Sequence, residues 1–188
     1  EAKRGRLGKA LAAEGLAAAV LTMPESIAWL LNIRGGDVPH TPLPLSFAIL
    51  RADASVTLFI DRRKLAPGLE RHLGNGVSIE APERLGPILD ALAKEGRVQA
   101  DPATAASWVF DRLGAAGAII HRAADPCLLP KSCKNPVELD GTRAAHRRDG
   151  AAVTKFLAWL AREAPHGELF EIAASDRLEA FRRAGEHF

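Results

Sequence analysis

The sequence predicts an α/β domain, a mixed β-sheet flanked by helices, followed by two helices of a second, incomplete domain. Three observations carry this. Short apolar runs alternate with helically spaced apolar residues from Leu16 to Ile120. Two of those runs, Leu45 to Leu50 and Val56 to Ile60, are joined by Arg51-Ala-Asp-Ala-Ser55, a connection of hairpin length that makes the sheet mixed rather than purely parallel. A proline-rich break then precedes two long amphipathic stretches.

In order, Lys3 to Glu14 places Leu7, Ala10 and Leu11 at helical spacing, with Gly15 as the stop. Leu16 to Leu21 reads LAAAVL and suits a strand buried on both faces. Pro24 opens a helix that carries Ile27, Trp29, Leu30 and Leu31 and ends near Asn32. The turn beyond it is expected to use Gly35 and Gly36 at positive φ, while Pro39, Pro42 and Pro44 hold the chain extended. After the hairpin, Arg62 to Leu73 has helical leucines that Pro67-Gly68 can interrupt, and Val77 to Ile79 is a brief strand. Glu83 to Lys94 is an amphipathic helix closed by Gly96, and Val98 to Ala100 is a strand. Thr104 is the expected cap of a helix bearing Trp108, Val109 and Leu113, and Gly117 to Ile120 is a last strand.

These elements define a first domain over residues 1–124. Asp125 to Pro136 holds three prolines and reads as a semi-rigid linker, 125–135. Asn135 as cap, Pro136 at the first helical position and Glu138 in the first turn open a helix to about Glu163, with Val153, Phe156, Leu157 and Leu160 as its stripe. Pro165-His166-Gly167 breaks it. A second helix, Leu169 to Arg183, turns Ile172, Leu178 and Phe181 inward. Two helices bury little of their own apolar surface, so residues 136–188 are expected to be an incomplete domain.

Composition excludes several function classes. With 188 residues and 47% hydrophobic content the chain can bury a substantial core. Its 25 Lys+Arg and 23 Asp+Glu are interspersed, giving a formal charge of +2 and no basic stripe for nucleic acid or an anionic membrane. No apolar run approaches the ~18 residues that span a bilayer. The opening EAKRGRLGK has neither a secretory apolar region nor an initiating Met and reads as an internal cut. Cys127 and Cys133 are too few for a disulfide framework and too widely spaced for a usual zinc pair; they are expected to be buried or half-buried thiols in a reducing cytoplasm.

The richest chemistry lies in Pro24 to Pro42, PESIAWLLNIRGGDVPHTP. NIRGGDVPH, preceded by SIAWLL, resembles the Xaa-Pro aminopeptidase family, specifically the creatinase/prolidase-type domain before the catalytic domain. Lys134 to Phe188 is similar to the opening helices of that family's catalytic domain, which implies the start of an incomplete α+β pita-bread fold. The resemblance implies a hydrolase that removes the residue preceding proline, a dinuclear metal centre, commonly manganese, and a homodimer. The family's ligands, two Asp, one His and two Glu, fall downstream of the helices present here. The segment is therefore expected to hold no metal, to be inactive alone, and to act as a substrate-side lid.

No residue is assigned a catalytic or metal-binding role. Asp140, His146, Asp149, Glu168, Glu171, Asp176, Glu179 and His187 lie on amphipathic stretches and read as solvated helix face, because no His-Glu-x-x-His or comparable pattern is present. Ser132 and Cys133 have no local group to activate them, and the glycines of the loop match no phosphate-binding spacing. Arg143, His146, Arg147 and Arg148 form a basic cluster that faces either a partner domain or water, and the three tryptophans read as core or interdomain anchors. The substrate-binding candidates are Asn32 and His40, able to orient a peptide backbone, and Arg34, a planar donor fork for a carboxylate or carbonyl. An Arg34–Asp37 pair that locks the loop to itself is the competing reading. A noncatalytic binding or scaffold protein, or a prolidase- or creatinase-type hydrolase fragment, are the alternative functions.

Overall fold

The structure, a computed structural model, describes residues 1–186 and divides into two compact units, Glu1–Ser132 and the remainder from Cys133 onward. In the first, six strands order as β4-β3-β2-β1-β5-β6: β1 Leu16–Leu21, β2 Phe47–Arg51, β3 Val56–Phe59, β4 Val77–Glu80, β5 Arg97–Ala100 and β6 Ile119–Arg122. Only β2 runs against its neighbours, pairing Ala19 with Leu50 on β1 and Ala48 with Leu58 on β3. The remaining pairs, β1 with β5, β5 with β6 and β3 with β4, are parallel.

Alternation along the strands feeds two cores. Leu16, Ala19, Leu21, Leu50, Val56 and Leu58 pack with α1 (Ala2–Ala13) and α2 (Pro24–Leu31) through Leu7, Leu11, Ile27, Leu30 and Leu31. Ala18, Val20, Ile49, Phe59 and Val98 pack with α4 (Leu85–Leu92) and α5 (Ser107–Ala115) through Leu89, Leu92, Val109 and Leu113. A strand lined on both sides can have no polar face, which is why β1 is apolar throughout.

Arg4 of α1 is 8% exposed, and its Nη1 donates to the Ala54 carbonyl at 3.1 Å and the Gly76 carbonyl at 2.6 Å. It thereby joins α1 to the hairpin turn and to the residue before β4. Gly8 lets the same helix sit on that turn, because a Cβ there would lie 2.8 Å from the Ala52 oxygen.

Several expectations are corrected. The stretch 62–73 is divided into a 3-10 turn, Arg62–Lys64, and a short α3, Leu69–Leu73, with Gly68 at φ +83 between them. Thr104 does not cap α5; that place falls to Ala106, which offers no side-chain acceptor. Ile172 is 77% exposed rather than inward. Trp29 is partly buried against the first core, but Trp108 is 47% exposed and anchors nothing in the core.

The expected linker 125–135 is largely part of the first unit. Leu128–Ser132 forms a short α6, and Cys127 is fully buried in the first core. Asp125 accepts the Cys127 amide at 2.7 Å, and its own N–H donates to Asp101 at 2.9 Å. Prolines at 126 and 130 remove donors that the first turn of α6 does not need. Cys133, by contrast, is exposed.

The second unit contains α7 (Pro136–Glu163) and α8 (Glu171–Arg183). Asn135 and Glu138 exchange side-chain to backbone hydrogen bonds at 2.9 and 2.8 Å, a full capping box, with Pro136 at the first position. Gly167 ends the intervening 3-10 turn at φ +74. Phe156, Trp159, Leu160, Leu178 and Phe181 are half-buried between the helices, with the Arg177 guanidinium over the Trp159 and Phe181 rings. Val137, Phe170 and Ile172 remain exposed in this unit.

Candidate functional site

Residues 32–46 connect α2 to β2 as a loop braced at several points. Pro24 starts α2, and Asn32 ends it in the left-handed region at φ 53, ψ 47, where an asparagine is tolerated better than most side chains. Ile33, 4% exposed, then pins the chain to the core. Gly35 and Gly36 do not supply the positive φ expected of them; Asn32 and His40, at φ 61, do. Gly35 is needed for a different reason: a Cβ there would lie 2.7 to 2.8 Å from Pro44. Space around Gly36 is open. The tip folds back through a Val38–Thr41 bridge, with the Thr41 amide donating to the Val38 carbonyl at 3.1 Å.

The Arg34–Asp37 pair does not form. Asp37 Oδ2 accepts from Lys64 Nζ at 2.6 Å and from the Leu45 amide at 2.7 Å, and the same ammonium donates to the Leu45 carbonyl at 3.3 Å. Lys64, with the Leu45 amide beside it, holds the Asp37 carboxyl below the usual carboxylate range. Lys64 stands on the 3-10 turn that Asp61 begins by accepting the Arg63 amide at 2.9 Å. Arg63 further clasps Asp61, which lowers that carboxyl to about 2. Two turns distant in sequence are thus stapled together. Sequence reasoning missed Lys64, which lies 27 positions from Asp37 and shares no local pattern with it.

Asn32, Arg34 and His40 all lie exposed on this loop. Arg34 Nη1 donates to the Ile33 carbonyl at 2.9 Å, and among the described residues it pairs with no carboxylate. Asn32 and His40 direct no side-chain hydrogen bond to the described residues.

The acidic and basic residues of the second unit are otherwise engaged or solvated. Asp140 pairs with Arg143 at 3.1 Å, Asp149 with Arg182 at 2.7 Å, and Glu179 with Arg183. His146 Nδ1 lies 2.9 Å from the Thr142 carbonyl, and Arg143, Arg147 and Arg148 are exposed in that unit. Glu168, Glu171 and Asp176 are exposed, and His187 lies outside the described residues. No three of His, Cys, Asp and Glu converge to hold a metal ion among the described residues. The described residues do not fit a dinuclear centre. A separate apolar cleft of about 460 Å³, edged by Phe47, Trp108 and Arg112, lies on the α4/α5 side of the sheet.

A mixed sheet covered by helices on both faces, with a polar loop stapled at Asp37 and no metal-ligand cluster among the described residues, defines the first unit as an α/β domain. The chain belongs to the creatinase/prolidase N-terminal domain family, whose model matches residues 1–138. It is 35% identical over 202 residues to a probable Xaa-Pro aminopeptidase P of Paracoccidioides brasiliensis (strain Pb03), covering 100% of this chain and 32% of the relative. A probable Xaa-Pro aminopeptidase P of Leptosphaeria maculans is 34% identical over 179 residues, 90% of this chain and 29% of its own length. The X-prolyl aminopeptidase of Caenorhabditis elegans, described as a cytosolic enzyme with a di-nuclear active site, superposes with a TM-score of 0.86 at 28% identity, over 100% of this chain and 31% of that one. A Bacillus anthracis Xaa-Pro dipeptidase shares the fold, with a TM-score of 0.67 at 18% identity. The chain spans about a third of the length of the curated relatives it matches.

Proposed function

We propose that these residues are part of a metal-dependent Xaa-Pro aminopeptidase, which removes the N-terminal residue preceding proline. The observation that carries this reading is similarity along the whole chain, 35% identity through both units, to proteins named as that enzyme. Residues 1–132 form the accessory domain and the helices from Pro136 open the catalytic one. The two divalent ions, manganese in this reading, belong to polypeptide beyond these residues, and the segment by itself is inactive.

In this reading the loop 32–46 borders the substrate as a lid, with Asn32, Arg34 and His40 facing the peptide. The enzyme works as a cytoplasmic homodimer. Binding energy from such remote contacts aligns the scissile bond and is realised as a lower KM or a higher kcat, depending on where along the reaction the contact tightens.

The test is to express the complete reading frame and this segment separately, supply manganese, and compare Xaa-Pro-Ala with Xaa-Ala-Ala peptides. The reading expects proline-dependent release of the first residue by the complete protein alone. Indifference to proline, or turnover by the segment, would overturn it.

A further inference from the structure

Between Asn32 and Ser46 the sequence contains one carboxylate, Asp37, and one permanent cation, Arg34. Were they paired, the loop would be electrically neutral and closed on itself. Lys64 prevents this by drawing Asp37 away at 2.6 Å while the Leu45 amide holds the same oxygen at 2.7 Å. Arg34 is left exposed and without an ion-pair partner among the described residues, with one donor on the Ile33 carbonyl. A guanidinium has five N–H donors in a planar fork that matches a carboxylate. Its backbone is fixed by the approach of Gly35 to Pro44 on one side and by the buried Ile33 on the other.

We propose that Arg34 recognises a carboxylate on the peptide substrate, and that the enzyme therefore favours peptides carrying a negative charge downstream of proline. This rests on the reading that the loop borders the substrate, and it adds the substrate class. Two sources supply the same chemistry, the free C-terminus of a short peptide and an acidic side chain. Asp37 and Lys64 are positioning residues: they touch no substrate and keep the fork uncompensated.

The complete enzyme is assayed with Xaa-Pro-Ala as the free acid, Xaa-Pro-Ala amide, and Xaa-Pro-Glu amide. The free acid is expected to have a KM about tenfold below that of the plain amide, the effect of one charge-assisted pair, with kcat within about twofold. Added salt narrows the gap, because the pair forms at an exposed site. Arg34→Gln abolishes the preference, because the KM of the free acid rises about tenfold more than that of the plain amide. Its melting temperature should not move, since the exposed Arg34 side chain hydrogen-bonds only its neighbour's carbonyl among the described residues. If Xaa-Pro-Glu amide shares the low KM, a side chain is read; if only the free acid does, the terminus is read; either supports the proposal.

A rise in KM for acid and amide alike in Arg34→Gln would overturn the proposal while leaving the loop on the substrate side. If Arg34→Gln and His40→Ala both left every KM unchanged, the loop would not border the substrate and both readings would fall. Absence of proline-dependent turnover in the complete enzyme would overturn both as well.

Discussion

Replacing Arg4 by methionine keeps most of the apolar stem of a buried side chain and removes its charge. The guanidinium donates to two carbonyls, Ala54 at 3.1 Å and Gly76 at 2.6 Å, at a residue only 8% exposed. Hydrogen bonds from charged donors contribute roughly 1.5–3 kcal/mol each, and an orphaned buried acceptor costs roughly 1–3 kcal/mol. The Gly76 carbonyl keeps a second partner, the Val56 amide at 3.0 Å, so its loss is the smaller of the two. The expected destabilisation is therefore about 2–4 kcal/mol. Arg4→Lys, with a compact ammonium in place of the fork, should lose about half of that. Because the chain has two units, a whole-chain melt mixes their transitions; urea unfolding read by hydrogen exchange in peptides covering β3 and β4 isolates the first. A loss below about 0.5 kcal/mol, within the range of surface substitutions, would refute the reasoning by showing that water replaces the guanidinium at both carbonyls.

Gly35→Ala drives a Cβ to 2.7 Å from Pro44 and should cost about 1–3 kcal/mol by overpacking, whereas Gly36→Ala, with open space around it, should stay within about 0.5 kcal/mol; urea unfolding of the two variants, read by hydrogen exchange in first-unit peptides, decides this. On acidification, Asp37 and Asp61, both with lowered pKa, keep their contribution above the ordinary carboxylate range and lose it as pH falls through their own values, Asp61 at about 2. Carboxyl carbon NMR should show Asp61 still ionised at pH 3, and titration near 4 would contradict its pairing with Arg63. A thiol reagent should modify Cys133 quickly and Cys127 only on unfolding, because burial removes access to Cys127 and pushes its thiol pKa up. Two fast equivalents in the native chain would exclude the buried position.

Much of the fold is written locally. The apolar run LAAAVL, the hairpin around Asp53 and the Asn135-Pro-x-Glu138 start of α7 each depend on neighbours within a few residues, and each appears where the periodicity and the caps place it. The mixed sheet follows from the same signals, since a short hairpin connection can only join antiparallel strands. Misses occur where a partner is remote. A proline-rich stretch looks like a linker until Cys127 is seen buried in a core supplied by residues more than a hundred positions earlier, such as Leu7 and Leu21.

The candidate loop shows the same division. Its residue types, its prolines and the end of α2 at Asn32 are determined by the sequence, because backbone sterics and missing donors act on the chain as it stands. Which carboxylate meets which cation is not. Asp37 had a cation three residues away and is held instead by Lys64 and the Leu45 amide, a choice made by the packing of the 3-10 turn against the start of β2. Charge attraction has no sequence range, so only the folded backbone decides which of two available pairs closes, and that decision leaves Arg34 facing outward.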